Sequence, residues 1–317
     1  MPQRVLVLGG SGFVGRAFAG KLASHDPACR IVVPTRRLPH VQALRSIPTV
    51  DVLQANVHDD AALAAAMAGC DAVVNLIAIL HGSTAEFDRT HVQLPRRIAQ
   101  ACTKTGVKRL VHVSALGVGA GAPSKYLASK TAGEAVLKQA GLELTVLRPS
   151  VIFGAEDSFL NLFAMLQSIA PFVPLAGSDA RFQPVWVDDV AAALVKCLHD
   201  RATIGQTYEC TGPEVFTLSQ LVQLAGEWSG HARRQFALPG FAGRLQALAM
   251  ELMPGTPMMS RDNIDSMKVP NIATGQVPGL DALGITPAAL AAVAPGYLSA
   301  TAGRARLEQL RALARRG

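Results

Sequence analysis

The chain has 317 residues, half of them apolar and 17% charged, with a formal net charge of +7. That length holds one large or two interlocked domains with ample core, and no apolar run approaches the roughly 18 residues of a membrane span. The five cysteines, Cys29, Cys70, Cys102, Cys197 and Cys210, are scattered without a CxxC or Cys/His grouping, which excludes a disulfide framework or zinc finger and suits reduced thiols in the cytoplasm.

A charged fraction below the usual quarter leaves apolar surface for a partner, a ligand cleft or a membrane face. Residues 304–316 carry five arginines and one glutamate, hence +4 of the +7. Over 303–317, with Leu307, Leu310 and Leu313, the pattern is a basic amphipathic helix for an anionic membrane surface or acidic partner; a solvated terminal helix is the alternative. Nucleic acid is not an expected partner, because no binding motif accompanies the charge and aromatics are 5%.

In chain order, an apolar strand beginning at Arg4 runs into Gly9-x-x-Gly12-x-x-Gly15, and a helix follows over 13–24. A strand placed that early leaves no room for a signal or transit peptide. Gly9 permits the tight turn, Gly12 lets a pyrophosphate approach the backbone, and Gly15 lets the helix pack on the strand. The helix N-terminus, through Phe13 and Val14 and with the Ser11 hydroxyl, then faces phosphates.

A second strand over 30–34 ends in Thr35-Arg36-Arg37. Sites for NAD place Asp or Glu here for the ribose 2′-OH, whereas arginine suits a 2′-phosphate. Arg36 and Arg37 therefore favour NADP(H) over NAD(H), unless the pair is simply exposed. A third strand, 51–55, closes in Asn56-Val57, which flank the adenine, and Asp59-Asp60 cap a helix through 68. The continuous apolar run 71–78 reads as a central strand, ending in the cofactor-lining Leu76, Ile77 and Ala78. A helix over 86–105 is interrupted by Pro95, which costs about 3 kcal/mol unless a kink or new start absorbs it.

Further strands are expected over 108–114 and 142–147. The alternation gives an α/β fold, a Rossmann-type doubly wound parallel sheet with right-handed crossovers. Beyond Pro149 the rhythm changes: a helix over 159–169, a loop with Pro171 and Pro174, a strand over 183–187, a helix begun by Asp188-Asp189, a strand over 206–210, a helix over 217–228, then loosely patterned apolar sequence over 236–259. The expected organisation is a dinucleotide domain over 1–150, to which about 183–212 returns, and a smaller C-terminal cap or substrate domain over 151–317 closing a cleft over the strand ends.

Tyr126-x-x-x-Lys130 places a phenol and an ammonium on one helix face. The cation should lower the phenol from its ordinary ~10, so that Tyr126 passes a proton as hydride moves to or from a nicotinamide, while Lys130 also holds the cofactor ribose. His81, His91 and His112 lack metal-ligand spacing and read as satisfied or solvated. Met250, Met253, Met258 and Met259 read as packing fill.

Gly-Gly-Ser-Gly-Phe-Val-Gly, Val-His-Val-Ser114, Tyr126-x-x-x-Lys130 and Leu147-Arg-Pro-Ser-Val-Ile-Phe-Gly154 together resemble the extended or atypical branch of the short-chain dehydrogenase/reductase superfamily, from residue 1 to about 230. Arg148–Phe163, Gln183–Val190 and Met259–Asn263 are similar to the NAD(P)H-binding accessory subunits of respiratory complex I and their bacterial relatives. The resemblance implies tightly held NADPH that serves structure more than turnover. It also implies a catalytic serine or threonine one or two residues beyond Ser114, where this chain has Ala115 and Leu116, so Ser114 is left as the candidate third catalytic member. Asn56 stands where an aspartate is common. The Arg148-Pro149 step shapes the nicotinamide pocket, with Val151 and Ile152 lining it.

Three functions compete: an accessory or assembly factor of a membrane respiratory or quinone-related complex, peripheral on the inner face of a membrane; an active NADP(H)-dependent oxidoreductase or epimerase of a small carbonyl or quinone-like substrate; and an NADP(H) redox sensor.

Overall fold

Runs such as Val5-Leu-Val-Leu8 and Ala72-Val-Val74 have no polar face to offer water, so they form strands covered on both sides, and each of these residues is fully buried. The computed structural model describes residues 2–253, 255 and 257–299. Its first elements are β1 (Arg4–Leu8), α1 (Phe13–His25), β2 (Arg30–Thr35), β3 (Val50–Gln54), α2 (Asp60–Met67), β4 (Ala72–Asn75), α3 (Thr84–Asp88), α4 (Leu94–Thr105), β5 (Arg109–Val113), α5 (Lys125–Lys138) and β6 (Glu143–Pro149). There follow β7 (Ile152–Phe153), α6 (Leu160–Ile169), β8 (Phe172–Ala176), β9 (Arg181–Phe182), β10 (Val185–Trp186), α7 (Val187–His199), β11 (Thr207–Cys210), β12 (Phe216–Thr217), α8 (Leu218–Ser229), β13 (Arg234–Leu238), α9 (Gly240–Glu251) and α10 (Arg261–Ser266).

The chain forms two compact units: Met1–Ser150 with Val187–Thr211 and Ala273–Thr286, and Val151–Trp186 with Gly212–Ile272 and Pro287–Gly317. In the first, seven parallel strands lie in the order β11-β6-β5-β4-β1-β2-β3. This is the doubly wound Rossmann arrangement, its order reversing beside β1. One core cluster joins Leu6 and Leu8 of β1 to Leu63 and Met67 of α2, Leu94 and Ile98 of α4 and Leu137 of α5. Helices α1 and α7 pack against each other and contribute nothing to that cluster.

Two local features explain departures from the expected elements. Pro95 falls in the first turn of α4, where no helical amide is needed, and a π-helical turn over Arg89–Gln93 joins α3 to α4. The helix runs on through the π-turn, the Leu94 N–H donating to the Arg89 carbonyl, so the proline is absorbed rather than breaking it. Strand β4 stops at Asn75 instead of continuing to 78, because the Asn75 amide oxygen accepts from the Ile77 N–H at 3.2 Å and turns the backbone out of the ladder. Arg109 is buried in β5, and its guanidinium donates to the carbonyls of Glu143 and Cys197 and to the hydroxyls of Thr145 and Thr203. A guanidinium carried into the core survives only when its N–H groups are met in this way.

The second unit has its own core, in which Phe153, Leu160, Phe163, Leu175, Leu218 and Leu221 pack together. The expected loop at Pro171 and Pro174 is in fact β8, paired in parallel with β13. Pro174 is tolerated because a two-stranded ribbon is all edge. Asp157 starts α6: its carboxylate accepts from the Leu160 N–H at 2.7 Å, the Gly154 N–H at 3.0 Å and the Tyr297 hydroxyl at 2.9 Å.

Candidate functional site

At the end of β1 the chain turns through Gly9, whose φ of +83° is costly for a residue with a side chain. A Cβ there would also lie 3.1 Å from the Leu76 carbonyl carbon and 3.2 Å from the Ile77 nitrogen, so the turn rests against the segment leaving β4. Gly15 is held more tightly still, its Cβ position lying 2.4 Å from the Gly9 oxygen and 2.5 Å from the Gly10 Cα. Gly12 differs: the one neighbour of its Cβ position within 4 Å is the Gly9 oxygen at 3.2 Å. It is the N-cap of α1, no side chain caps that helix, and its first turn carries no acid. The amides of Phe13, Val14 and Gly15 and the positive end of the dipole are therefore presented to an anion. A Cβ on Gly10 would stand 2.8 Å from Val33 Cγ2, and the Arg16 guanidinium donates to the Ser11 carbonyl at 2.6 Å, bringing a cation beside the turn.

The ends of β2 and β3 adjoin, with the Ala55 N–H donating to Thr35 O at 3.0 Å. Thr35 Oγ1 both accepts from the Arg37 N–H and donates to the Arg37 carbonyl, which fixes the backbone while Arg36 and Arg37 remain exposed. Beyond β3, the exposed Asn56 accepts from the His58 N–H at 3.2 Å, and Val57 is buried. Burial first, then the charges of Arg89, Arg36 and Arg97, hold the His58 imidazole below its ordinary value. Three arginines from separate elements thus share one field with His58. His58, Arg89 and Arg97 were not among the residues expected from sequence; a histidine directly after Asn56-Val57 was the available signal. Arg97 also pairs with Asp60.

At β5 and α5 the electrostatic expectation is reversed. The Lys130 ammonium is buried and donates to the Val113 carbonyl at 2.8 Å. Burial lowers it to about 8, against the opposing charge of Glu134. The Tyr126 side chain is partly exposed, but burial of its hydroxyl pushes the phenol up to about 12 instead of down. Removing water from an anion outweighs the neighbouring cation, which is directed at a carbonyl. The Tyr126 ring meets His91 edge-on at 5.5 Å and Phe87 at 6.2 Å.

Ser114 is also held internally. Its buried hydroxyl donates to Glu134 Oε2 at 3.2 Å. The same carboxylate accepts from Arg148 Nη2 at 2.7 Å and pairs with Lys138 at 3.0 Å. Burial pushes the Glu134 carboxyl up, but the hydrogen bonds from Arg148 and Lys138 outweigh it and hold the group below its ordinary value. Leu116 N–H donates to the Pro149 carbonyl at 3.0 Å, and Pro149 is buried in β6.

The remaining candidates are dispersed. Leu76 and Ile77 are half-buried beside Gly9, and Ala78 is exposed. Val151 and Ile152 belong to the second unit, where the Val151 N–H donates to Asn271 Oδ1 at 3.0 Å and Ile152 pairs with Val185 of β10. His91 accepts from the Ile79 N–H at 3.1 Å and bonds Ser129 at 2.8 Å, while His112 bonds Asn75 at 3.1 Å. No grouping of three potential metal ligands occurs among the described residues, and no helix among them is long and apolar enough to cross a membrane. The expected basic helix at 303–317 lies outside the described residues.

Comparison with known proteins gives this geometry a family. A family model described as NAD(P)H-binding matches residues 9–201. NADH dehydrogenase (ubiquinone) 1 alpha subcomplex subunit 9, mitochondrial, of Mus musculus is 30% identical over 291 residues, covering 90% of this chain and 76% of that one. Ceramide reductase of Caulobacter vibrioides is 30% identical over 193 residues, covering 60% and 59%. The NADPH-dependent quinone oxidoreductase of Escherichia coli, solved with NADPH, superposes with a TM-score of 0.75 at 22% identity, over 93% of this chain and 99% of that one, a likeness of fold. From the glycine turn, the seven-stranded parallel sheet and these matches together, the chain belongs to the NAD(P)H-binding family, with a Rossmann-type fold, and is a relative of complex I alpha subcomplex subunit 9.

Proposed function

We propose that the chain holds NADP(H) and serves as a nucleotide-carrying accessory or assembly subunit of a membrane respiratory or quinone-related complex. The turn at 9–15 fits a diphosphate: the amides that open α1 carry no side-chain cap, and Gly12 puts no side chain beside them. Around it, Ser11, Phe13, Val14 and Gly15 would hold the phosphates, with Asn56, Val57, Leu76, Ile77 and Ala78 about the adenosine. Arg36, in the field shared with Arg89 and Arg97, and Arg37 next to it favour a 2′-phosphate. Tyr126, Lys130 and Pro149 would border the nicotinamide.

One observation carries the accessory reading. The Ser114 hydroxyl is bound to a buried carboxylate, and the next two residues, Ala115 and Leu116, have no hydroxyl to polarise a substrate oxygen. The mouse relative is named as a subunit of NADH dehydrogenase, in keeping with that role. The deciding experiment is to denature purified protein and identify the released nucleotide, alongside a panel of carbonyl and quinone substrates. One NADPH per chain with no turnover is expected. Absence of affinity for any pyridine dinucleotide would overturn the reading.

A second reading, active reduction, draws on Lys130. An ammonium lowered to about 8 exchanges its proton near neutrality, one turn from Tyr126, and one relative is named a reductase. Bound NADPH supplies hydride; Tyr126 would supply the proton. Turnover on the same panel, abolished in Tyr126→Phe, selects this reading.

A further inference from the structure

A buried polar ring must find partners for its nitrogens, and in the first unit two histidines find theirs at the two ends of one short segment. Residues 75–79 leave β4, and the Gly9 turn rests against Leu76 and Ile77 within it. At the start of the segment the Asn75 amide oxygen accepts from the Ile77 N–H, so Asn75 Nδ2 faces His112 Nδ1 at 3.1 Å and donates to it. His112 therefore keeps its proton on Nε2. At the other end His91 Nε2 accepts from the Ile79 N–H at 3.1 Å, which leaves the proton on Nδ1, and Nδ1 donates to Ser129 Oγ at 2.8 Å. Ser129 Oγ in turn donates to the Tyr126 carbonyl at 2.8 Å. Both rings are buried, and burial, then the Lys130 charge, holds them neutral.

The backbone around His91 is built to bring the ring there. His91 lies in the π-helical turn over Arg89–Gln93, and its carbonyl oxygen stands 1.8 Å from where a Cβ on Gly133 would lie. Only a glycine of α5 admits that approach, and a π-turn swings side chains out of the α-helical register, a device frequent at functional sites. Phe87 stacks on the ring at 5.6 Å. Hydrogen bonds thus run from the Ile79 amide through His91 and Ser129 to the first turn of α5, which carries Tyr126. An apolar ring would fill the same space but hold neither end; a satisfied polar network fixes both.

We propose that His91 and His112, as rings of opposite tautomer, are positioning residues for the nucleotide: they fix both ends of the segment against which the glycine turn rests, and His91 joins that segment to the helix of Tyr126 and Lys130. The proposal rests on the nucleotide-holding reading above. Long-range nitrogen–proton correlation spectra of the wild-type protein, which need no variant, should place the His91 proton on Nδ1 and the His112 proton on Nε2; any other assignment overturns the proposal. Calorimetric titration should show NADPH bound about 10-fold more weakly by His91→Leu, which leaves the Ile79 N–H without its acceptor, and within about 2-fold of wild type by His91→Gln, whose amide oxygen can replace Nε2. NADPH should slow amide exchange of both 76–79 and the first turn of α5 in wild type, but of 76–79 alone in Ser129→Ala, where the link to α5 is cut. Unchanged NADPH affinity in a folded His91→Leu, whatever its denaturation midpoint, would make the rings core filling and overturn the proposal with nucleotide binding intact. Equal protection of α5 in Ser129→Ala overturns it as well. A wild-type protein with no affinity for any pyridine dinucleotide overturns both readings.

Discussion

The turn at 9–15 and the start of α5 follow strands of the same sheet, yet they treat their polar groups in opposite ways. At the turn, the backbone amides that open α1 have no side-chain cap, and the N-cap residue, Gly12, has no side chain. At α5, every polar group of interest is engaged from within: Lys130 by a carbonyl, Ser114 by Glu134, and Glu134 by Arg148 and Lys138. One region is arranged to receive a ligand and the other to satisfy itself.

The largest effect expected from breaking this contrast is in the buried carboxylate. Glu134→Leu leaves Arg148 without its buried partner and should destabilise the fold by about 3–5 kcal/mol, read as a lower midpoint in denaturant. Within the turn, Gly15→Val places atoms where backbone already stands and should cost about 3 kcal/mol together with all bound nucleotide. Gly12→Ala, with one neighbour at 3.2 Å, should keep the melting temperature of the nucleotide-free protein while losing nucleotide. A variant pair that behaved alike would erase the difference between a packing glycine and an approach glycine. Arg36→Ala should weaken NADPH by about 10–100-fold, the worth of a charged hydrogen bond, and NADH by much less, as calorimetric titration would show.

The pH dependence follows from the other side of the contrast. Burial, then Lys130, lowers His91 to about 3, and His112 is lowered in the same sense. Below the ordinary value of 6.5 the unfolded chain takes up protons that the folded chain refuses, so stability should fall as pH falls. For His91 the loss should reach about 2 kcal/mol by pH 5, and His91→Gln should flatten that part of a chemical denaturation series. The smallest effect is Tyr126→Phe. Under the accessory reading it should leave nucleotide content unchanged and stability within about 1 kcal/mol.

Much of the sheet was legible because strands covered on both faces are written as uninterrupted apolar runs, as at 5–8 and 72–74. The glycine turn was legible because order alone, strand then glycines then helix, specifies it. What spacing does not carry is the partner of each polar atom. Tyr126 and Lys130 share a helix face as the four-residue interval requires, but the interval is silent on the Val113 carbonyl and on the loss of water that raises the phenol. Pro95 marked an interruption that the structure has, but Pro174 misled for a related reason: a proline is harmful only where an amide is needed, and a ribbon edge needs none there. Helix α9 read as loosely patterned because its small residues, Gly243 and Ala247, not its large ones, mark the packed side.

Arg109 carries a further consequence for how the protein is made. Two of its acceptors, the Cys197 carbonyl and the Thr203 hydroxyl, come from chain that follows the whole 151–186 excursion, as does the neighbouring strand of β6. A nascent chain halted at residue 150 therefore has an open sheet edge and a guanidinium whose Cys197 and Thr203 acceptors have yet to be synthesised. The nucleotide-holding unit cannot be completed on emergence of its own first 150 residues. It closes late, after much of its neighbour has been synthesised, and a chain cut at that boundary should aggregate rather than stand as a miniature of the whole.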